Sequence, residues 1–256
     1  MDHEGAVPIA ELLDERRHLL DIAFWVTGDS GAAEEVVAET YRRWYALSAP
    51  ERRCVTAPRA WLVQVGGAVC LSRSTLSGPR DGHSEGIGTA PGTVAESMGC
   101  TEPEPERSEP TNPVDQALRS LQGRRSRPTT TERHDTVVQA VQQACATEDP
   151  ASLAALLAPD AIAFFDGGGK VRALTEPVHG NERIAHCLLT LLARRPRTSL
   201  HTRSVNGRTG LVARYDDQVA AVIGLDVAGH RAVQVWVVLN PDKLRSWNPQ
   251  DASGRR

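Results

Sequence analysis

The sequence predicts two unlike units in one chain, an all-α unit followed by an α+β unit. Three observations carry this. Apolar residues recur at helical spacing from about Ile9 to Leu76. A tract dense in Gly, Pro, Ser, Thr and Glu then runs from about Ser77 to Glu132. After it, two helical segments give way to short strand-like runs separated by tight-turn signals.

In the first unit, residues 9–76, Leu12, Leu13, Leu19, Leu20, Ile22 and Ala23 mark one helix. Thr27-Gly28-Asp29 breaks it, and Asp29 or Ser30 can cap the next. Glu34 and Glu35 lie early in that second helix, where carboxylates suit the helix dipole. It runs through Val36, Val37, Tyr41, Trp44 and Tyr45, and a further helix starts near Pro58. The tract over 77–132 is expected to be a flexible linker, because Glu102-Pro-Glu-Pro-Glu106 and Arg124-Arg-Ser-Arg-Pro128 cannot bury a core. Pro113 to Leu121 is long enough for one or two amphipathic turns.

The second unit spans 133–247. Val137, Val138, Val141 and Ala144 share a helix face, and Asp149 or Ser152 can cap a helix bearing Leu153, Leu156 and Leu157. Ala161 to Phe165 reads as a strand and Val178 to Ala193 as a helix. Three or four strands follow, near 199–205, 210–215, 219–226 and 232–239, broken by Asn206-Gly207, Asp216-Asp217 and Gly229-His230. A curved antiparallel sheet closing over helices would form a cone with an interior cavity. Residues 248–256 are expected to be a disordered tail.

Bulk composition narrows the function. The formal net charge is −3, so nucleic-acid contact would have to come from a local patch rather than the whole chain. Five cysteines, Cys54, Cys70, Cys100, Cys145 and Cys187, are widely spaced with no C-x-x-C, which argues against a disulfide framework or a zinc site. No metal or other cofactor is expected. The acidic start, Met1-Asp-His-Glu-Gly5, has no apolar run of signal length, and the expected location is cytoplasmic.

The stretch from Ala23 to Trp44, AFWVTGDSGAAEEVVAETYRRW, resembles the N-terminal domain of the extracytoplasmic-function sigma factors, and Pro58-Arg-Ala-Trp-Leu62 resembles that family's next block. The resemblance implies a helical domain that docks on core RNA polymerase and melts and reads the −10 promoter element. It points to Asp29, Glu34, Glu35, Glu39, Arg42 and Trp44 for polymerase binding, and to Arg59, Trp61 and Arg73 for DNA. The physics is consistent: an acidic face suits a basic partner, and aromatic and basic side chains hold unstacked bases. The DNA half departs from the pattern, with Ser72 and Thr75 where charges are usual, and Gly66-Gly67 weakening the helix by about 0.5–1 kcal/mol per glycine.

The second unit resembles the SnoaL-like domain that some of these sigma factors carry at their C-terminus. The matching residues are Asp166-Gly167-Gly168-Gly169-Lys170-Val171, the following Arg172 to Gly180, and Asn240-Pro241-Asp242-Lys243-Leu244. By resemblance, Asp166–Lys170 and Asn240–Leu244 form an interdomain, regulatory surface. The helix-turn-helix domain that reads the −35 element should lie between the units, and no apolar-periodic pair of helices can be built there. The expected function is an atypical sigma-factor-like regulator with weak or no promoter recognition of its own. An anti-sigma or other regulatory protein is a further possible partner.

Two rival readings remain from sequence. The cone fold also hosts isomerases and cyclases, for which Asp166, His179, His186, His201 and Asp226 are the candidate proton carriers, each with a capping or surface role as the default. The sigma-like helices also suit a protein partner other than polymerase. The glycine run is not a phosphate loop, because it lacks the G-x-x-x-x-G-K-[ST] spacing.

Overall fold

A computed structural model describes residues 6–76 and 129–248. Residues 77–128 of the expected linker, the amphipathic stretch 113–121 and the tail from 249 lie outside the described residues, while Thr131 and Glu132, placed in the linker by sequence, already belong to a helix.

Helix α1 spans Ile9–Thr27 and α2 Ser30–Ala46. Between them Gly28 takes φ 69°, and its N–H closes on Phe24 O, which ends α1 as a left-handed C-cap. Asp29 caps α2 by accepting from Ala32 N at 2.7 Å. The short α3, Ala49–Cys54, opens with a reciprocal Ser48/Glu51 capping box. Helix α4, Pro58–Leu76, returns across α1 and α2. Leu19, Ala23, Val36, Val37, Tyr41, Trp44, Leu62 and Val69 form the core of this helical module.

The second module begins with α5, Thr131–Ala146, capped by Thr130, and α6, Pro150–Leu156, capped by Asp149. Strand β1 is Leu157–Asp166, β2 is Val178–His179, and α7 is Asn181–Leu191. The expected helix over 178–193 is thus shorter at its start. Val178 and His179 pair instead with Ala163 and Ile162, and Gly180 at φ 92° separates that edge strand from the helix. The meander follows as β3 Thr198–Val205, β4 Arg208–Tyr215, β5 Gln218–Ala228 and β6 Arg231–Val238, closed by α8, Pro241–Leu244.

The hairpin turns behave as their residues require. Asn206 and Gly207 have φ 50° and 79°, Asp216 and Asp217 have 52° and 62°, so both central residues are left-handed, as a type I′ turn needs. The sheet order is β2-β1-β6-β5-β4-β3. The meander β3–β6 is antiparallel, but β1 joins β6 in parallel, so the sheet is mixed. Turn signals are local and announce only antiparallel neighbours. A parallel partner arrives through a crossover, here α7 and the meander itself. Bulges at Ala213/Arg214 and Asp226/Val227 curve the sheet.

Helices α5, α6 and α7 cover one sheet face, and the space beneath them is filled by side chains such as Val138, Leu153, Ile184, Leu211, Ile223 and Val235. Val212, Val219, Val222 and Leu244 close the other face under α8. Ile9, Ala10 and Leu12 belong to the core of this second module, while Leu19 and Ala23 belong to that of the first. Helix α1 is therefore shared, and the two modules are packed together through it.

Cys54 is exposed, whereas burial pushes the Cys145 thiol up to about 12. With the thiolate as the reactive form, iodoacetamide at neutral pH is expected to label Cys54 and spare Cys145. Peptide mapping that found Cys145 labelled as fast as Cys54 would contradict its burial. No helix among the described residues is long and apolar enough to cross a membrane.

Candidate functional site

Two surfaces carry the residues singled out in the sequence. The first is the solvent side of α2. Glu34 accepts from Arg16 at 2.8 Å, Glu35 from Arg73 at 2.5 Å, and Glu39 from Arg43 at 2.9 Å while also pairing with Arg42. Each acid is thus matched by an arginine of its own module, and all these pairs have at least one solvent-exposed member. The pairs made by Arg42, Arg43 and Arg73 are exposed and contribute about 0–1 kcal/mol each, so a partner's cations can replace them at little cost, whereas Arg16 is buried and relies on Glu34.

Trp44 is not on that surface. It is 5% exposed and meets Trp61 edge-to-face, with ring centroids 5.3 Å apart. Both tryptophans therefore hold the α2–α4 crossing together. Arg59 is exposed in the first turn of α4 and Arg73 in the last. Fourteen residues of helix separate them, about 21 Å along the axis. The structure does not bring Arg59, Trp61 and Arg73 into one patch.

The second surface joins the two glycine- and asparagine-marked motifs. Asp166 at the end of β1 accepts from Gly168 N at 2.9 Å and pairs with Lys243 at 2.8 Å. Lys170 reaches back to Asp242 at 2.6 Å. Asn240 caps α8 by accepting from Asp242 N at 3.0 Å. The two motifs therefore form a crossed pair of ion bridges. Gly168 has φ 60°, and a Cβ there would overlap the Asn240 amide.

The segment that follows crosses to the helical module. Tyr45 Oη donates to Val171 O at 2.5 Å and accepts from Ala173 N at 2.9 Å. Between those two, Arg172 reaches Glu15 at 3.2 Å, and Tyr41 Oη donates to the same carboxylate at 3.3 Å. Burial raises the Tyr45 pKa; Ala173 N–H, Arg172 and Arg52 pull the other way. Burial, and then the Glu15 charge, push the Tyr41 hydroxyl well above its usual range. Further along α1, Asp14 accepts from Tyr215 Oη at 2.9 Å, Arg17 meets Asp216 at 3.5 Å, and Glu11 meets Arg195 at 3.1 Å.

Sequence reasoning did not single out Glu15, Tyr41 or Tyr45 for this role. A faint signal existed: Glu15 falls on the apolar stripe of α1, three residues after Leu12 and four before Leu19, where a carboxylate is costly unless paired.

Two expected outcomes test this junction. Gly167→Ala should loosen it, because a Cβ there would lie 2.8 Å from both Val171 O and the Ala173 methyl. The loop would have to shift just where Tyr45 grips it, at a cost of about 1–3 kcal/mol by urea unfolding. An unchanged midpoint would show that the loop adapts freely.

The second concerns pH. The hydrogen bond from Lys170 holds the Asp242 carboxyl below its ordinary 3.8. A lowered folded-state pKa contributes stability above the ordinary value, which is lost as pH falls through the lowered one. Lys170→Met should therefore reduce stability at neutral pH more than at the lowest pH where the chain stays folded. Equal losses at both would remove the bridge from the account.

The catalytic candidates are not gathered. His179, His186 and His201 are exposed on β2, α7 and β3, His201 lies against Ser199 at 3.1 Å, and Asp166 is engaged by Lys243. Asp226 is half-buried on β5.

No family model matches the chain. It is 22% identical over 294 aligned residues to the ECF RNA polymerase sigma factor SigJ of Mycobacterium tuberculosis, covering 92% of this chain and 93% of that protein. The aligned span exceeds the 256 residues of this chain, so the relative has residues with no counterpart here. Among solved structures, that sigma factor's crystal structure is 20% identical, covers 95% of this chain and all of its own, and has a TM-score of 0.39. A putative ketosteroid isomerase from Kribbella flavida is 15% identical over 42% of this chain and 78% of its own, with TM-score 0.33. An NTF2-like protein of unknown function from Mesorhizobium loti is 16% identical over 44% and 97%, with TM-score 0.33.

Proposed function

We propose that this chain, a relative of the extracytoplasmic-function sigma factors, is a transcription regulator that docks on core RNA polymerase through the solvent side of α2. The observation that carries the reading is the near-full-length relationship to a sigma factor. The charged row of exposed Glu34, Glu35 and Arg42 with half-buried Glu39 supports α2 as the docking face. In this reading Asp29 and Trp44 act indirectly, Asp29 by capping α2 and Trp44 by setting its angle against α4.

Contact with −10 promoter DNA rests on Arg59, the exposed member of its candidate set that has no carboxylate partner among the described residues. Independent promoter recognition is expected to be weak, because no −35 reader is legible between the modules. The crossed motifs Asp166–Lys170 and Asn240–Leu244 are the proposed regulatory element: they set the path of 171–173, which holds α1 and α2 against the sheet.

The test is capture of core RNA polymerase by the purified chain and by Glu34→Lys/Glu35→Lys/Glu39→Lys. Loss of capture by at least about tenfold in the variant is expected, since reversed charges at a docking face cost on-rate and affinity together. Circular dichroism should show the helices intact. Wild-type chain that fails to capture polymerase would sink the reading.

One observation favours a second partner class. Trp25 is 87% exposed and Phe24 53%, an unusual display of apolar surface at the end of α1. If Trp25→Ser abolishes capture of a non-polymerase protein and the charge reversal does not, the helices serve that partner instead.

A further inference from the structure

A cleft of about 490 Å³ opens between the two modules beside Tyr45. One wall comes from the turn at the end of α2, α3 and the start of α4, and the other from residues 172–178 and the first turn of α7. Four arginines line it: Arg52, Arg53, Arg172 and Arg183. Glu176 is the one carboxylate among the lining residues. Arg172 is fixed from behind by Glu15, whereas Arg52 and Arg183 have no carboxylate partner among the described residues. Val55, Pro58, Leu174 and Val178 supply apolar walls.

We propose that this cleft binds a small organic anion, a carboxylate or phosphate on an apolar body, gripped by Arg52 and Arg183 from opposite modules. The size falls within the range of metabolite sites, about 300–1,000 Å³. Arginine is the residue suited to the anion, because its planar fork meets two oxygens at once. Arg52 and Arg183 come from opposite walls of one cleft, where like charges repel, and an anion between them relieves that repulsion. Because the walls come from both modules, the bound anion favours their docked arrangement by linkage. The chain would then sense a metabolite at the junction between its sigma-like and sheet modules. The site does not depend on polymerase docking.

The probe is 8-anilinonaphthalene-1-sulfonate, an anion on an aromatic body, titrated by fluorescence into the full chain. Saturable binding displaced by phenyl phosphate is expected. Arg52→Gln/Arg183→Gln should weaken it by about tenfold or more. Glu11→Ala/Asp14→Ala loosens the docking without lining the cleft and should weaken it as well. Trp25→Ser should leave it unchanged. Absence of saturable binding, or equal binding by Arg52→Gln/Arg183→Gln, would overturn the proposal. So would loss of binding in Trp25→Ser, which would put the dye on the exposed end of α1. Displacement by a twelve-nucleotide single strand of thymidine at lower concentration than phenyl phosphate would also overturn it, in favour of a nucleic-acid groove.

Discussion

Replacing Glu15 by Ala is expected to destabilise the chain by about 2–4 kcal/mol, because it strips partners from a partly buried guanidinium and a buried phenol together. Glu15 is 3% exposed in the middle of α1. Its carboxylate takes Arg172 from the sheet module and Tyr41 from α2. With Glu15 gone, Arg172 faces the Tyr45–Tyr41 edge with its charge unmatched, and the Tyr41 hydroxyl has nothing to donate to. Glu15→Gln keeps an acceptor for both and should lose less. Urea unfolding followed by circular dichroism measures the difference. The modules share α1, so the loss should appear in both rather than as an early transition of one. A change under about 0.5 kcal/mol in Glu15→Ala would mean that the junction rests on Ile9, Ala10 and Leu12 and on the Tyr45 and Asp14 hydrogen bonds instead.

Trp44→Ala carries the second large effect, about 3–5 kcal/mol, the usual range for emptying a large aromatic site in a core. The edge-to-face contact with Trp61 adds to the loss beyond area alone. If α2 docks on polymerase as proposed, the variant should lose capture by unfolding the α2–α4 crossing, not by deleting a contact. Trp25→Ser is the matched control: it removes a larger exposed surface and should change stability by less than about 0.5 kcal/mol. If Trp44→Ala kept its melting temperature yet lost capture, Trp44 would belong to the docking surface after all.

Much of the local structure was legible in the chain. Gly28, Asp29 and Asp149 act within a few residues of themselves, as a C-cap and N-caps, and so can be read from spacing, whereas the short α3 with its Ser48/Glu51 capping box was not anticipated. Asn206-Gly207 and Asp216-Asp217 likewise dictate their own turns through positive φ. Val178-His179 was harder. Its apolar spacing continues into α7, and only the edge of β1 claims it as a strand. The candidate site divides in the same way. The acids of α2 sit on the polar side of a helix, a one-dimensional pattern, whereas Trp44 and Trp61 stand seventeen residues apart and reveal their contact only when α2 and α4 cross.

The sequence by itself determined the hairpin turns, the caps of α2 and α6 and the charged row on α2, because these depend on near neighbours. Tertiary structure alone decided that β1 runs parallel to β6, that α1 serves two cores, and that Asp166 clasps Lys243 while Lys170 clasps Asp242. It also decided that Glu15, Tyr41, Tyr45 and Arg172 become one junction between the modules. These contacts join residues up to 157 positions apart. No local propensity encodes such a pairing; it follows from burying a shared helix, where a charge is tolerated only when its partner is brought to it.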